Sequence, residues 1–301
     1  MKAMRVFVTG ATGFVGTQVV KQLAANGHQI TGFARSDASA ATLAAADHAV
    51  IRGKLTDLDI LTTAVQSADA VIHTAFIHDF LNFAASVDID RVAIQTMGAA
   101  LAGSGRPFII TSGTGLLKPG SLLTEDTPAA STGHAAARGA TEAVALALAE
   151  QNVRVSLMRL PASVHGDGDH GFVPTLIAIA REKGVAGYVE DGANQWPAVH
   201  VTDAARAYVL ALEQGAAGAR YHPVGEQGIP FRDIAGAIGR KLGLPVSSIP
   251  CSAAAEHFGW MANFAQMDVA ASSQMAQERL GWNPVGPGLI EDMESGSYFG
   301  G

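Results

Sequence analysis

The stretch VFVTGATGFVG, Val6 to Gly16, compresses a strand, a tight turn and a helix start into one run. Val6, Phe7 and Val8 suit a short strand buried on both faces. Gly10 permits the turn, Gly13 lets the backbone come close to a pyrophosphate, and Gly16 allows the next helix to lie against the strand. That helix opens at Phe14, where free N–H groups and the positive end of the peptide dipoles favour a phosphate. Three glycines alone would be weak evidence. With a strand before them, a helix behind and a second strand after that, they predict a dinucleotide loop. Gly10, Thr12, Gly13, Phe14, Val15 and Gly16 are its expected contacts.

The alternation continues outward. Val6–Val8, Ile30–Ala34, Ala49–Ile51, Ala70–His73, Phe108–Thr111 and Val153–Arg159 are short apolar runs bounded by Gly, Asp or Asn, and predict parallel strands. Phe14–Ala25 predicts a helix, with Val15, Val19, Val20 and Leu23 on one face and Gly27 past its end. The Ala- and Leu-rich run Ala135–Gln151, closed by Asn152, predicts another. Such repetition gives an α/β fold, a Rossmann-type doubly wound parallel sheet.

After Pro161 the rhythm breaks. VHGDGDHG predicts a loop, Phe172–Lys183 a helix and GYVEDGANQW a hairpin-like segment. Further helices are expected over VTDAARAYVLALE, with Thr202 or Asp203 as N-cap, over Phe231–Leu242 and over Ser273–Leu280. The expected organisation is a dinucleotide-binding domain over 1–164, with a returning segment 192–225. A smaller C-terminal substrate-binding lobe takes most of 165–301.

Composition narrows the function. The chain has 301 residues, 48% hydrophobic and 16% charged, which describes a globular protein with a substantial core. A net charge of −7 with 20 scattered basic residues argues against a nucleic-acid partner. The lone Cys251 excludes an intramolecular disulfide and suits a reducing compartment. No apolar run approaches the ~20 residues of a membrane span, and MKAMRVFVTG lacks the features of a secretory signal. A cytoplasmic protein without a membrane partner is expected.

The form T-G-x-x-G-x-x-G over Thr9–Gly16 resembles the extended short-chain dehydrogenase/reductases, the NAD-dependent epimerase/dehydratase family. ADAVIHTAF, FIITSGT, RLPASVHG and WPAVHVTDAARA resemble later segments of that family, so the likeness covers nearly the whole chain. It implies that Leu55, Thr74, Ala75, Phe76 and Thr111 line the cofactor, with Pro161 and Val164 near the nicotinamide. Members often dimerise through helices flanking the sheet, and the apolar faces of Ala135–Ala149 permit a homodimer.

The end of the second strand bears on which dinucleotide binds. An acid there would hold the ribose 2′-OH of NAD and repel a 2′-phosphate. The sequence instead reads GFARSDAS, placing Arg35 and Ser36 at that position. A guanidinium fits phosphate bidentately and a hydroxyl can donate to it, so NADP is the expected cofactor. NAD stays possible through Asp37, one residue further on; a solvated surface role for Arg35 is the plainer alternative.

In the family, a Tyr-x-x-x-Lys pair on one helix face moves the proton and holds the ribose. This chain has no tyrosine before Tyr188 and no lysine between Lys118 and Lys183. The resemblance puts His134 on the tyrosine position and Arg138 on the lysine position, with Glu142 matching the acid that follows. The third position, usually Ser or Thr, falls on Gly113, flanked by Ser112 and Thr114. His134, Arg138, Ser112 and Thr114 are therefore the catalytic candidates. The chain resembles atypical members that keep the glycine loop and lose the standard pair.

Two readings of His134 stand side by side. An imidazole of ordinary pKa, about 6.5, is a competent general acid for carbonyl reduction, and a neighbouring Arg138 would lower that value. Arg138 could still bind ribose hydroxyls, but it cannot exchange protons. Alternatively His134 is a polar residue near a helix start, and Arg138 pairs with Glu142 at i,i+4 for ~0.3–0.5 kcal/mol.

Other polar groups are weighed more briefly. HGDGDHG has neither calcium-loop nor zinc spacing, so no metal is expected; the resemblance places its His165 against substrate. His78 and Asp79 could border the nicotinamide or sit in a solvated loop, while His73 reads as a core residue with a backbone partner. HFGWMANFAQM carries Phe258, Trp260, Met261 and Phe264, either as core or as the wall of an apolar pocket. Arg220 and Arg232 form no evident cationic cluster for a second pyrophosphate. The leading expectation is NADPH-dependent reduction of a small, uncharged carbonyl substrate. The alternatives are an NADP-binding sensor without turnover and a sugar-nucleotide epimerase or dehydratase.

Overall fold

The computed structural model describes residues 3–79, 82–117, 122–132 and 136–300. Six strands of the central sheet are β1 (Arg5–Thr9), β2 (Gln29–Ala34), β3 (Ala49–Arg52), β4 (Ala70–His73), β5 (Pro107–Gly113) and β6 (Arg154–Leu160). The chain continues with β7 (Ser163–His165), β8 (Ala186–Val189), β9 (Gln195–His200) and β10 (Ala219–Tyr221), of which β10 is the seventh strand of that sheet. The sheet is parallel, in the order β10-β6-β5-β4-β1-β2-β3. Val6, Phe7 and Val8 expose none of their surface, as strands covered on both faces must.

Helices cover those faces: α1 (Phe14–Ala25), α2 (Asp37–Ala45), α3 (Leu58–Gln66), α4 (Phe83–Leu101), α5 (Ala136–Ala147), α6 (Phe172–Lys183) and α7 (Val201–Gln214). Val19, Val20 and Leu23 of α1 share one core with Ala204, Tyr208 and Leu212 of α7. The opposite core joins Leu61 and Val65 of α3 to Ile94 and Met97 of α4 and Ala145 of α5. The periodicity of each helix puts these residues on its inner stripe. The architecture is the Rossmann-type doubly wound sheet that the strand–helix alternation predicts.

The C-terminal half adds β11 (Glu226–Pro230), α8 (Phe231–Leu242) and β12 (Val246–Ile249). A three-stranded sheet runs β11-β9-β7, and β8 pairs in parallel with β12. Val173 and Ile177 of α6, Ile234 and Ile238 of α8, and Phe258, Met261, Leu289 and Met293 share a core of their own.

Three local expectations are corrected. GYVEDGANQW is not a hairpin: its first half, β8, takes β12 as partner, and its second half enters β9, which pairs with β11 and β7. Helix α7 starts at Val201 with His200 as N-cap, not Thr202 or Asp203. Asp203 is buried in the first turn, where Oδ2 accepts from the amides of Val285 (2.9 Å) and Gly286 (2.7 Å), holding the C-terminal segment. The Ala- and Leu-rich run is an α-helix only to Ala147; Leu148–Gln151 tighten into a 3-10 turn that ends at Asn152 in the left-handed region.

Candidate active site

β1 lies between β2 and β4, so connections leave the two central strands to opposite sides and open a crevice at their carboxyl ends. The glycine loop stands there. Gly10 has φ +68°, and a Cβ on it would lie 2.6 Å from the amide nitrogen of Ala75. A Cβ on Gly16 would lie 2.0 Å from the carbonyl oxygen of Gly10. Only hydrogen fits at either place, and the backbones of β1, α1 and the exit of β4 are consequently in contact. Gly13 is the N-cap of α1, no side chain caps that helix, and no acid sits in its first turn. Its first amides therefore face the crevice without a competing acceptor. Thr12, Phe14 and Val15 are half-buried at this turn.

A buried chain of side chains fixes the wall opposite. Thr9 Oγ1 is 2.6 Å from His73 Nδ1, and His73 Nε2 is 3.0 Å from Asp90 Oδ1 on α4. With the carboxylate accepting from Nε2, the Thr9 hydroxyl donates to Nδ1 and is free to accept from the Ala75 amide at 3.4 Å. Thr74 donates through its hydroxyl to the Thr9 carbonyl, 2.7 Å away. His73 is thus a core residue satisfied by side chains, not by a backbone partner of its ring. Thr74, Ala75 and Phe76 leave β4 from this fixed base, and Leu55 is half-buried in the loop after β3.

At the end of β2, Arg35 is exposed, with no ion-pair or hydrogen-bond partner among the described residues. The Ser36 hydroxyl caps α2 by accepting from the Ser39 amide at 3.2 Å. Asp37 is turned towards Arg52 of β3, 2.5 Å from its guanidinium. Arg52, absent from the sequence reading, is the register partner of Ala34 and brings a second cation to the end of β2.

The corner beyond β5 is organised by an ion pair that the sequence reading missed. The Arg159 guanidinium, 1% exposed, grips the Glu142 carboxylate at 2.6 and 3.0 Å and donates to the carbonyls of Glu125 and Thr127. Ser112 donates to the same carboxylate at 2.6 Å. Glu142 therefore belongs to Arg159, and the expected i,i+4 pair with Arg138 is not formed. Arg138 instead lies across the Phe76 ring, 3.9 Å above its centroid, and donates to the Thr111 carbonyl at 3.3 Å. Burial pushes its pKa down, with Asp90 and Glu142 pulling the other way. Thr111 Oγ1 donates to the His73 carbonyl at 2.8 Å and is 2.7 Å from the Tyr208 hydroxyl below the sheet.

The other catalytic candidates fare unequally. Thr114 is fully buried, and its hydroxyl finds no partner among the described residues. His134 lies outside the described residues. Behind the corner, His222 donates through Nδ1 to the Ser272 carbonyl at 3.1 Å, and burial with the Arg159 charge pushes its pKa down to about 3. Glu125 accepts from the Ala276 amide at 3.1 Å, and burial pushes its carboxyl up.

Aromatic contacts mark the rim. His170 meets Phe14 of the glycine loop edge-on at 6.0 Å, and His78 meets Phe76 at 5.2 Å. Burial, then the Arg138 charge and the neighbouring His170 ring, hold His78 below the usual imidazole value. His165, expected at the substrate, exposes none of its surface; Nδ1 is 2.7 Å from Asp292 Oδ2 and the ring is packed on His200. The strand β7 carries it inward, away from the loop it precedes. Pro161, four residues earlier, is buried, and Val164 packs on the sheet core. In HGDGDHG, Asp167 and Asp169 accept from Ser297 and Tyr298, both at 2.8 Å. No group of three or more metal-ligating side chains converges among the described residues.

The sequence profile of the NAD dependent epimerase/dehydratase family matches residues 6–224. The chain belongs to that family. It is 46% identical over 297 residues to the uncharacterized protein C2A9.02 of Schizosaccharomyces pombe, covering 98% of this chain and all of that one. It is 28% identical over 259 residues to a 2-alkyl-3-oxoalkanoate reductase of Stenotrophomonas maltophilia, covering 80% and 77% of the two chains. In three dimensions it is similar to the dTDP-glucose 4,6-dehydratase DesIV of Streptomyces venezuelae, solved with NAD bound. That match has TM-score 0.80 and 20% identity, over 98% of this chain and 97% of that one. No helix among the described residues is long and apolar enough to cross a membrane.

Proposed function

We propose that this chain is an NADP(H)-dependent oxidoreductase that reduces a small carbonyl compound. One observation carries the reading: the uncapped start of α1 meets a glycine cradle that a Cβ at Gly10 or Gly16 would fill. The diphosphate would rest on the amides at Gly10–Val15, and Arg138 would hold the nicotinamide-side ribose. Arg35 and Arg52 would receive the 2′-phosphate, with Asp37 engaged by Arg52. When bound, NADPH supplies the hydride that the carbonyl carbon takes. The chain must orient the carbonyl and deliver one proton to its oxygen. Arg138 can polarise that oxygen but cannot give up a proton; His134, four residues earlier in sequence, is the proposed acid. The family relationship and the 2-alkyl-3-oxoalkanoate reductase support the reaction class.

A second reading draws support from Ser112 and Thr114. The first is committed to Glu142 and the second is fully buried, so neither is poised at a substrate. A binding protein without turnover would look the same. Calorimetry with NADPH and NADH, followed by NADPH consumption over a carbonyl panel, separates the readings. We expect NADPH to bind at least ~10-fold tighter than NADH, from charge-assisted hydrogen bonds to the 2′-phosphate. Arg35→Ala should remove most of that preference. Consumption with any compound, lost in His134→Ala, supports the reductase. Binding without consumption supports the sensor, and absence of binding ends both.

A further inference from the structure

The sequence run His257–Met267 resolves into two populations. Phe258 and Met261 are buried in the C-terminal core, whereas Trp260 is 50% exposed and Phe264 half-buried. These two rings and Phe172, the first residue of α6, form a cluster with centroids 4.6 to 6.3 Å apart. The cluster is braced from behind. Trp196 donates through its indole N–H to the Phe264 carbonyl at 3.2 Å, and Asn194 donates to the carbonyls of Ala265 and Met267.

The chain on either side of the cluster touches the crevice. Phe172 follows His170 by two residues, and His170 packs on Phe14 of the glycine loop. At the other end Met267 lies against Gly115: a Cβ there would be 2.6 Å from the Met267 methyl. Gly115 is two residues beyond β5, at the corner where Arg138 contacts Thr111. An apolar surface, Trp260–Phe264–Met267 with Phe172 beside it, thus runs from the rim of the lobe to that corner. Charge is distributed to match. Between Lys241 and Arg279 the chain has neither lysine nor arginine, while Glu256, Asp268 and Glu278 lie in the interval. A second diphosphate would find no lysine or arginine within that interval.

We infer that Phe172, Trp260 and Phe264 are the specificity wall of the active site, and that the substrate is a neutral aromatic ketone or aldehyde. Its ring lies on the wall and its carbonyl points towards Arg138. Offset and edge-on ring packing favours a flat apolar body over a hydrated sugar. The inference rests on the oxidoreductase reading and names the substrate of that same site. The reaction balances as carbonyl plus NADPH plus one proton giving alcohol plus NADP⁺.

The test uses the purified full-length chain saturated with NADP⁺, whose binding is first established by calorimetry. Trp196 and Trp282 are buried, so Trp260 is the tryptophan that a ligand can touch. Emission is followed on titration with 4-phenyl-2-butanone and two larger neutral aromatic ketones, against butanone and UDP-glucose. We expect saturable quenching by at least one aromatic ketone, absent in Trp260→Ala, while Trp260→Phe keeps the wild-type KM in NADPH turnover assays. With NADPH, Trp260→Ala should raise KM for the aromatic ketone about 10-fold while kcat holds within about twofold. NADPH affinity should be unchanged in both variants, which shows that the fold is intact. The inference is overturned if no aromatic ketone quenches or is turned over, if UDP-glucose or butanone binds as tightly, or if Trp260→Ala leaves KM unaltered. Failure of NADP⁺ to bind in the first step would instead bring down the oxidoreductase reading.

Discussion

The glycine cradle and the corner beyond β5 are neighbours on one sheet edge, built from different materials. The cradle is backbone: two positions where only hydrogen fits, and a helix start left uncapped. The corner is side chain: Arg159, Glu142 and Ser112 closed into a buried network with two carbonyls from the segment after β5. A backbone site holds a phosphate whatever residues surround it. A side-chain network serves shape first, and here it consumes Ser112, one of the groups the sequence offered for catalysis.

The comparison predicts that the two regions fail in different ways. Breaking the corner should cost folding. Glu142→Ala leaves the Arg159 guanidinium buried without its counter-charge, a loss of about 3–5 kcal/mol. Urea unfolding should show it as a shifted midpoint with unchanged slope. The double substitution Glu142→Leu with Arg159→Met, which removes both charges, should recover much of that loss. If Glu142→Ala unfolds at the wild-type midpoint, the pair is not what organises the corner.

Breaking the cradle should cost binding first. Gly10→Ala sets a Cβ against the β4 exit at a positive φ, at about 1–3 kcal/mol of backbone strain, and pushes the turn into the space a diphosphate would fill. NADPH affinity should fall ~1,000-fold by calorimetry, about 4 kcal/mol, a larger effect than the shift in urea midpoint represents. Equal losses of binding and stability would show that the cradle is only a structural turn.

These materials also explain what the sequence disclosed. Glycine spacing and strand–helix alternation are local, and they located β1 to β6, α1, α6 and α8. The partners of Glu142 and Asp37 are not local: Arg159 lies 17 residues away and Arg52 lies 15 away. A helical i,i+4 rule therefore offered Glu142 the wrong arginine. The same holds for β8, whose partner β12 comes only after α8, so a hairpin with the adjacent strand was the natural local reading. His165 misled because a motif position implied a pocket, whereas β7 turns that ring inward onto Asp292. Of Trp260 and Met261, adjacent in sequence, periodicity alone could not say which faces water.

The corner should also give stability a pH dependence that the cradle lacks. Folded His222 is held at about 3 by burial and by the Arg159 charge, whereas an unfolded histidine takes a proton near ~6.5. Between these values the unfolded chain binds a proton that the folded chain refuses. The contribution is therefore complete above ~6.5 and is lost as pH falls towards about 3. At pH 5 the loss is about 2 kcal/mol relative to pH 7. Glu125, raised by burial, acts in the opposite sense, so the His222 share is read by difference. In His222→Gln, the amide can still donate to the Ser272 carbonyl, and the slope of stability between pH 7 and 5 should flatten by about that amount. An unchanged slope would place the acid sensitivity elsewhere.

The smallest effect tests the cofactor end of the comparison. Asp37 and Arg52 are an exposed pair, with the carboxylate side chain 97% accessible, so Asp37→Asn should change stability by less than about 1 kcal/mol. Its effect on selectivity is separate. The substitution removes a carboxylate that would repel a 2′-phosphate and releases the Arg52 guanidinium to donate to it. Through water the two terms amount to about 1 kcal/mol or less, a few-fold rise in the ratio of NADPH to NADH affinity, largest at low salt. The measurement is that ratio for wild type and variant at two ionic strengths, beside the melting temperature. A ratio that moves towards NADH would mean that Asp37 supports the phosphate side after all, and that Arg35 and Arg52 are surface charges the cofactor does not read.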